Sequence, residues 1–135
     1  MKIKISETRN LKADQIIELY KANGWSSAEK PVELYNALIN SHSLITAWYG
    51  KKLIGLGNAI SDGHLVVYYP HLLIYPDYQG KGVGQMIMDK MKEKYKDFHM
   101  QMLTADGKAI EFYKKVGFVR AGKTEPMWIY KGNEH

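Results

Sequence analysis

Two spacings of apolar residues along the chain predict a mixture of helices and strands. Apolar residues three or four positions apart predict amphipathic helices, which cover residues 13–20, 31–38, 83–95 and 108–116. Short alternating or continuous apolar runs predict strands, which lie around residues 3–5 and at residues 44–49, 53–60, 65–75, 98–103 and 127–131. A chain of 135 residues in this order predicts one α/β domain over residues 1–135.

A proline marks one of these strands as irregular. Pro70 lies inside the long apolar run at residues 65–75. Proline lacks the N–H group that a strand interior uses in its ladder, so it is confined to edges and bulges. We therefore expect an edge, a bulge or a splay of the sheet at Pro70.

The densest glycine cluster of the chain follows that strand. Gly80, Gly82 and Gly84 stand between the apolar run at residues 72–75 and the helix predicted from Val83. The start of a helix presents unpaired N–H groups and the positive end of its dipole, and both attract phosphate. Glycine lets the backbone close on the anion. This segment therefore predicts a phosphate-bearing cofactor held by main-chain amides.

Two common phosphate-binding patterns do not fit the chain. The dinucleotide-binding fingerprint needs a different glycine spacing and an acidic residue about 20 positions later, which the strand predicted at residues 98–103 lacks. Residues 117–124 match the P-loop pattern, but they follow a helix and precede Pro126 and a strand. Gly117 is better explained as the residue that ends a helix.

Two other segments carry a family resemblance. Gln79, Gly82 and Gly84 form the spacing Gln-x-x-Gly-x-Gly, and residues 109–118 read Ala-Ile-Glu-Phe-Tyr-Lys-Lys-Val-Gly-Phe. They resemble the acyl-CoA pyrophosphate loop and the Phe-Tyr helix of the GCN5-related N-acetyltransferase (GNAT) family. The resemblance extends over residues 3–130. It implies the GNAT fold, a mixed β-sheet splayed between strands 4 and 5 and flanked by about four helices, with acetyl-CoA as co-substrate.

The resemblance also implies which residues hold acetyl-CoA. The backbone of Leu72, Leu73 and Ile74 would pair with the pantetheine arm, with an oxyanion donor near Leu73. The pyrophosphate would lie in the loop formed by Gln79, Gly80, Lys81, Gly82, Val83 and Gly84. Asp106 stands where the family frequently has an asparagine; because a carboxylate cannot donate a hydrogen bond, that contact is altered here.

The catalytic groups follow from the same resemblance. Tyr113 occupies the position of the family's general acid, which protonates the departing thiolate; the alternative is an aromatic residue that only packs. His71 is the candidate base for the amine because it lies at the splay and titrates near neutrality. The alternative, equally open, is that the His71 imidazole only packs and that ordered water serves as the base. An acceptor pocket could be lined by Trp25, Tyr35, Trp48, Tyr68, Tyr69 and Trp128.

Composition narrows the classes of protein and of functional site that remain open. The chain is 45% hydrophobic and 24% charged, and it has no cysteine, which excludes disulfides, a thiol nucleophile and a thiolate metal site. Its net charge of +5 comes with dispersed lysines, so no nucleic-acid surface is predicted. The longest apolar runs are far short of a membrane span, so no membrane segment is predicted. We expect a cytoplasmic enzyme without a metal that acetylates the primary amine of a small molecule. A peptide or protein acetyltransferase and a CoA-binding regulatory module are the alternatives, and a homodimer is expected only by family habit.

Overall fold

The computed structural model describes residues 2–133, and within them six strands and four helices form an α/β fold. The strands are β1 (Lys4–Ser6), β2 (Ser43–Tyr49), β3 (Lys52–Ser61), β4 (Val66–Tyr68), β5 (Leu72–Ile74) and β6 (Met100–Met102). The helices are α1 (Ala13–Ala22), α2 (Pro31–Ile39), α3 (Val83–Lys94) and α4 (Ala109–Lys115). The predicted domain over residues 1–135 also includes Met1, Glu134 and His135, which lie outside the described residues.

The sheet is mixed, as predicted. Its order is β1-β2-β3-β4-β6, with β5 paired to β3 beside β4. All pairs are antiparallel except β4 with β6, which is parallel because the chain returns through α3. A hairpin joins β2 to β3 at Gly50, whose φ of 60° is the left-handed conformation that a tight turn requires.

The predicted splay begins at Pro70. Before it, β4 pairs with both β3 and β6, and the Tyr69 N–H still donates to the Met102 carbonyl at 3.0 Å. After it, β5 pairs only with β3 within the described part of the chain. The long run at residues 65–75 is therefore two short strands, and the second has an open edge on the side away from β3. Proline ends the pairing because it has no N–H to continue the ladder.

Helices cover the two faces of the sheet. On one face, Ile16 and Leu19 of α1 and Leu38 of α2 pack with Leu56 of β3, and all four side chains are fully buried. On the other face, α3 packs with β2, β3 and β4 around a second buried cluster. Removing each large apolar side chain from water contributes about 1.5–3 kcal/mol to the stability of the fold. The two packed layers therefore fix the position of β5 between α1 and α3.

Two strand predictions need correction. The strand predicted at residues 98–103 is limited to Met100–Met102, because Phe98 ends the turn after α3 by donating its N–H to the Tyr95 carbonyl at 3.0 Å. The strand predicted at residues 127–131 is wrong: these residues form neither helix nor strand, and Met127 and Ile129 are 93% and 94% exposed. The segment has strand-like composition, but it lies apart from the sheet, whose order ends at β6.

The last helix ends as the sequence predicts. Gly117 has a φ of 105°, and its N–H donates to the Lys114 carbonyl at 3.1 Å. The Phe118 N–H donates to the Tyr113 carbonyl at 2.9 Å. This pair of bonds is the Schellman arrangement, which needs a left-handed residue that glycine adopts without strain. The P-loop match at residues 117–124 is therefore a helix end and a turn.

Candidate active site

The glycine loop leaves an open cradle at the start of α3. Gly80 and Gly82 have φ of 75° and 84°, and a Cβ added at either would meet no atom within 4 Å. Gly82 is the cap of α3 and offers no side chain to its N–H groups; the Met86 N–H donates to the Gly82 carbonyl at 3.1 Å. The N–H groups in the first turn of α3 therefore have no side-chain cap, as a phosphate site at the start of a helix requires.

A close approach brings α3, α4 and β5 together beside this loop. A Cβ on Gly84 would lie 3.2 Å from Phe112 Cζ of α4 and 4.0 Å from Ile74 Cγ1 of β5. A Cβ at position 84 would press on the Phe112 ring, so glycine favours this close approach of α4 to the start of α3. The end of β5, the glycine loop and the helix that carries Tyr113 are thus neighbours.

The loop is also tied to α1 through two amides. Gln79 Nε2 donates to the Ile74 carbonyl at 2.9 Å and to Asn23 Oδ1 at 3.1 Å. Asn23, at the end of α1, donates through Nδ2 to the same Ile74 carbonyl at 3.0 Å. Gln79 therefore braces the turn rather than pointing into the cradle. Lys81 is exposed beside the loop and supplies positive charge there.

At its open edge, β5 presents the backbone N–H and C=O groups of every second residue. The Asn58 N–H donates to the His71 carbonyl at 3.1 Å, and the Tyr75 N–H donates to the Ile54 carbonyl at 2.7 Å. In an antiparallel ladder, groups that face the partner strand alternate with groups that face away. The backbone of Leu73 therefore faces β3, and the backbones of Leu72 and Ile74 face the splay. Of the three backbones expected to pair with the pantetheine arm, those of Leu72 and Ile74 thus face the open edge, and that of Leu73 is paired with β3.

Tyr113 lies on α4 in an aromatic cluster. Its ring centroid is 5.0 Å from that of Phe112 and 5.8 Å from that of Phe118, with both pairs edge to face. Burial raises the pKa of Tyr113 to about 12, so its phenol stays protonated at neutral pH and can donate a proton. Asp106 lies in the exposed loop before α4, where its carbonyl accepts the Ala109 N–H at 3.0 Å.

His71 is held from two sides at the splay. Its Nδ1 lies 2.7 Å from the Tyr20 hydroxyl of α1, which is wholly buried, and burial raises the pKa of Tyr20. The His71 N–H donates to Asn58 Oδ1 at 3.1 Å, and Asn58 Nδ2 donates to Ser41 Oγ at 3.0 Å. The Trp25 ring stands edge to face with the imidazole at 5.1 Å. His71 is therefore both oriented and partly packed.

The structure brings together only part of the predicted aromatic wall. Trp25 lies beside His71, whereas Tyr35 and Trp48 pack on the α1–α2 core and Tyr69 packs on the α3 side. Tyr68 and Trp128 are exposed. Residues 2–133 contain no helix long and apolar enough to cross a bilayer, and no group of three potential metal ligands occurs among them.

Sequence reasoning missed three residues that position the site: Tyr20, Asn23 and Asn58. Tyr20 was included in the apolar stripe of α1, and its hydroxyl gave no separate signal. Asn23 precedes Gly24 just after that helix, and such a pair indicates only where a helix ends. Asn58 lies among apolar residues of β3, and a buried amide in such a run was the one available indication of a specific partner.

Comparisons with known proteins agree with this arrangement. The family model "Acetyltransferase (GNAT) domain" matches residues 10–127. The chain is 25% identical over 123 residues to an uncharacterized N-acetyltransferase, ycf52, of Porphyra purpurea, covering 86% of this chain and 70% of that protein. A GNAT-family acetyltransferase of Streptococcus pneumoniae superposes with a TM-score of 0.82 at 27% identity, covering 96% of this chain and 99% of that one. A probable acetyltransferase of Staphylococcus aureus, 24% identical over 96% and 99% of the two chains, has the same fold with a TM-score of 0.84. The chain therefore belongs to the GNAT family of acetyltransferases.

Proposed function

We propose that the protein transfers an acetyl group from acetyl-CoA to the primary amine of a small molecule, with both substrates bound at once. One observation carries the proposal. The open edge of β5 ends beside a glycine cradle at the start of α3, and α4, which bears Tyr113, packs against that same cradle. The groups proposed as a binding strip, an anion site and a proton donor are thus adjacent.

The donor site is supported by backbone groups rather than by side chains. The outward N–H and C=O groups of Leu72 and the N–H of Ile74 suit an extended amide-bearing arm, which adds to the edge as another strand would. The amides at the start of α3 suit the pyrophosphate, and the exposed Lys81 adds charge beside them. The Gly84 contact with Phe112 and the Gln79 brace keep this cradle in place without filling it.

The chemistry needs one proton delivered and one removed. Acetyl-CoA supplies the acetyl group as a thioester, and the amine replaces the sulfur at its carbonyl carbon. Tyr113 donates its phenolic proton to the departing sulfur; its raised pKa, about 12, keeps that proton in place at neutral pH. The outward N–H groups of β5 stabilise the negative oxygen that forms during the attack.

His71 is the proposed acceptor of the amine proton, at Nε2. This role requires the tautomer in which Nδ1–H donates to the Tyr20 oxygen, 2.7 Å away. Tyr20 can accept that bond as a neutral phenol, because burial raises its pKa. Trp25 and Tyr20, with ring centroids 5.6 Å apart, form an aromatic corner at the imidazole. This corner favours a compact amine with an apolar portion over a long polar chain.

The test is release of free CoA thiol in the presence of a panel of amines. We expect Tyr113→Phe to lower kcat by 10²–10⁴-fold, the usual contribution of a general acid, with little change in KM for acetyl-CoA. Tyr49→Phe removes an exposed hydroxyl on β2 and serves as the matched control. Equal rates for the two variants would remove Tyr113 from the mechanism. Turnover with peptides alone would mean that the acceptor is a peptide and not a small molecule.

A further inference from the structure

One lysine of α3 differs from its neighbours in what its charge contacts. Lys90 and Lys94 both form ion pairs with Glu7 near the start of the chain. Lys92, which lies between them, instead donates from its ammonium group to a backbone carbonyl, that of Val116. It forms no ion pair with a described residue. The charge of Lys92 therefore serves a contact between α3 and the end of α4.

The contact completes the C-terminal end of α4. The last carbonyls of a helix have no N–H partner within it, and a positive charge beside them interacts favourably with the helix dipole. Val116 caps α4 and is only 2% exposed, so its carbonyl depends on a donor from the protein. At the next residue, Gly117, an added Cβ would lie 3.0 Å from Lys92 Nζ. Glycine at this position therefore leaves room for the lysine, in addition to adopting the left-handed φ.

The helix that Lys92 holds has few other anchors. α4 is only 7 residues long, and none of them is buried. Near its middle, the Phe112 ring lies against Gly84 at the start of α3. Just beyond its end, the Phe118 ring lies edge to face with the ring of Tyr113 at 5.8 Å and with the ring of Tyr69 at 6.3 Å. The end of α4 thus decides where Phe118 lies, and Phe118 borders Tyr113.

We propose that Lys92 is a positioning residue for Tyr113. Its ammonium group holds Val116 and the turn that carries Phe118, and these keep the Tyr113 ring in one position. The proposal rests on the proposed function, in which Tyr113 protonates the departing thiolate. Because a proton donor must lie within hydrogen-bonding distance of its acceptor, releasing the end of α4 lowers kcat rather than the affinity for acetyl-CoA. Lys92 acts through Tyr113 and does not itself take part in the reaction.

Lys92→Met tests the proposal because it removes the charge and the donor but keeps a long side chain. Lys96→Met is the matched control, since Lys96 is an exposed lysine one turn later that pairs only with Glu93 among the described residues. In the thiol-release assay we expect Lys92→Met to lower kcat by about tenfold or more, with KM for acetyl-CoA unchanged, and Lys96→Met to change neither. In a Tyr113→Phe background, Lys92→Met should lower kcat by less than about twofold further, because the two residues act as one unit. A wild-type kcat in Lys92→Met, or an equal loss in both backgrounds, would overturn the proposal.

A measurement on the Tyr113 ring separates this proposal from the proposed function. In NMR spectra of protein with isotope-labelled tyrosine rings, the Tyr113 signal is the one that Tyr113→Phe removes. We expect Lys92→Met to shift or broaden that signal and Lys96→Met to leave it unchanged. If Tyr113→Phe keeps the wild-type rate, the general-acid role fails, whereas a Tyr113 signal that responds to Lys92→Met still supports the hold on the ring. A Tyr113 signal that is the same in the wild type and in Lys92→Met would refute that hold.

Discussion

Replacing Gly82 by alanine separates the conformational role of the loop from its proposed binding role. Gly82 has a φ of 84°, in the left-handed region, and a Cβ there would meet no atom within 4 Å. The folded protein therefore loses stability only through backbone strain, about 1–2 kcal/mol for a residue with a side chain. For a domain of this size, that strain corresponds to a fall in Tm of about 3–10 °C.

The effect on the donor should be larger than the effect on stability. In the proposed donor site the pyrophosphate lies against the first amides of α3, which follow Gly82, so a methyl group added there displaces it and at least one bond to a charged phosphate is lost or lengthened. Such a bond contributes about 1.5–3 kcal/mol, which raises KM for acetyl-CoA by about 10- to 150-fold. We expect kcat at saturating donor to change little, because Gly82 does not touch the reacting carbonyl.

Gly63→Ala is the matched control for this prediction. Gly63 has a φ of 82° in the turn between β3 and β4, and its added Cβ would make only an ordinary 3.5 Å contact with His42. The Tm should fall by a similar amount, and KM should stay at the wild-type value. Thermal unfolding followed by circular dichroism and a thiol-release assay at varied acetyl-CoA measure the two quantities. Similar KM values for Gly82→Ala and Gly63→Ala would refute the reasoning that Gly82 shapes a phosphate site.

Three further predictions concern proton donation, the amide brace and the core. Burial raises the pKa of Tyr113 to about 12, so its contribution to stability is complete below about pH 10 and is lost as the pH rises towards 12. In urea unfolding at pH 9–12, the free energy of unfolding should therefore fall less with pH in Tyr113→Phe than in the wild type. Identical falls in the two proteins would contradict this prediction. Asn23→Ala should release Gln79 from α1 and raise KM for acetyl-CoA several-fold, at a cost of about 1 kcal/mol in stability; an unchanged KM would show that the brace is dispensable. Leu38→Ala, in a fully buried position, should lower the free energy of unfolding by about 2–5 kcal/mol, whereas Val32→Ala on the exposed side of α2 should change it by less than about 0.5 kcal/mol.

The elements that sequence predicted well are those with a strong local cause. The helices follow from an apolar stripe, and α4 ends at a glycine that adopts a left-handed φ. Pro70 lacks a backbone donor, and that single fact predicts where β4 and β5 part. The glycine loop likewise has a local cause, because the positive φ of Gly80 and Gly82 favours glycine whatever lies around them. Each of these inferences depends on few neighbours.

The features that sequence could not supply depend on register and tertiary partners. Residues 127–131 have a strand's composition, but composition does not say whether a sheet edge lies within reach. The oxyanion donor was expected near Leu73, but only the register of the β3–β5 ladder shows that the backbones of Leu72 and Ile74 face the open edge while that of Leu73 faces β3. Tyr20 lies in an apolar stripe, and only the approach of His71 distinguishes its hydroxyl from those of other core tyrosines.

The most direct test of the central claim is a calorimetric titration of the unmodified protein with acetyl-CoA at two salt concentrations. We expect one donor bound per chain, with an affinity that falls as salt rises because the proposed site holds phosphates against the loop and Lys81. Gly82→Ala should weaken that binding, and Gly63→Ala should not. No binding at millimolar acetyl-CoA, or equal binding by the two glycine variants, would contradict the assignment of this loop as the donor site.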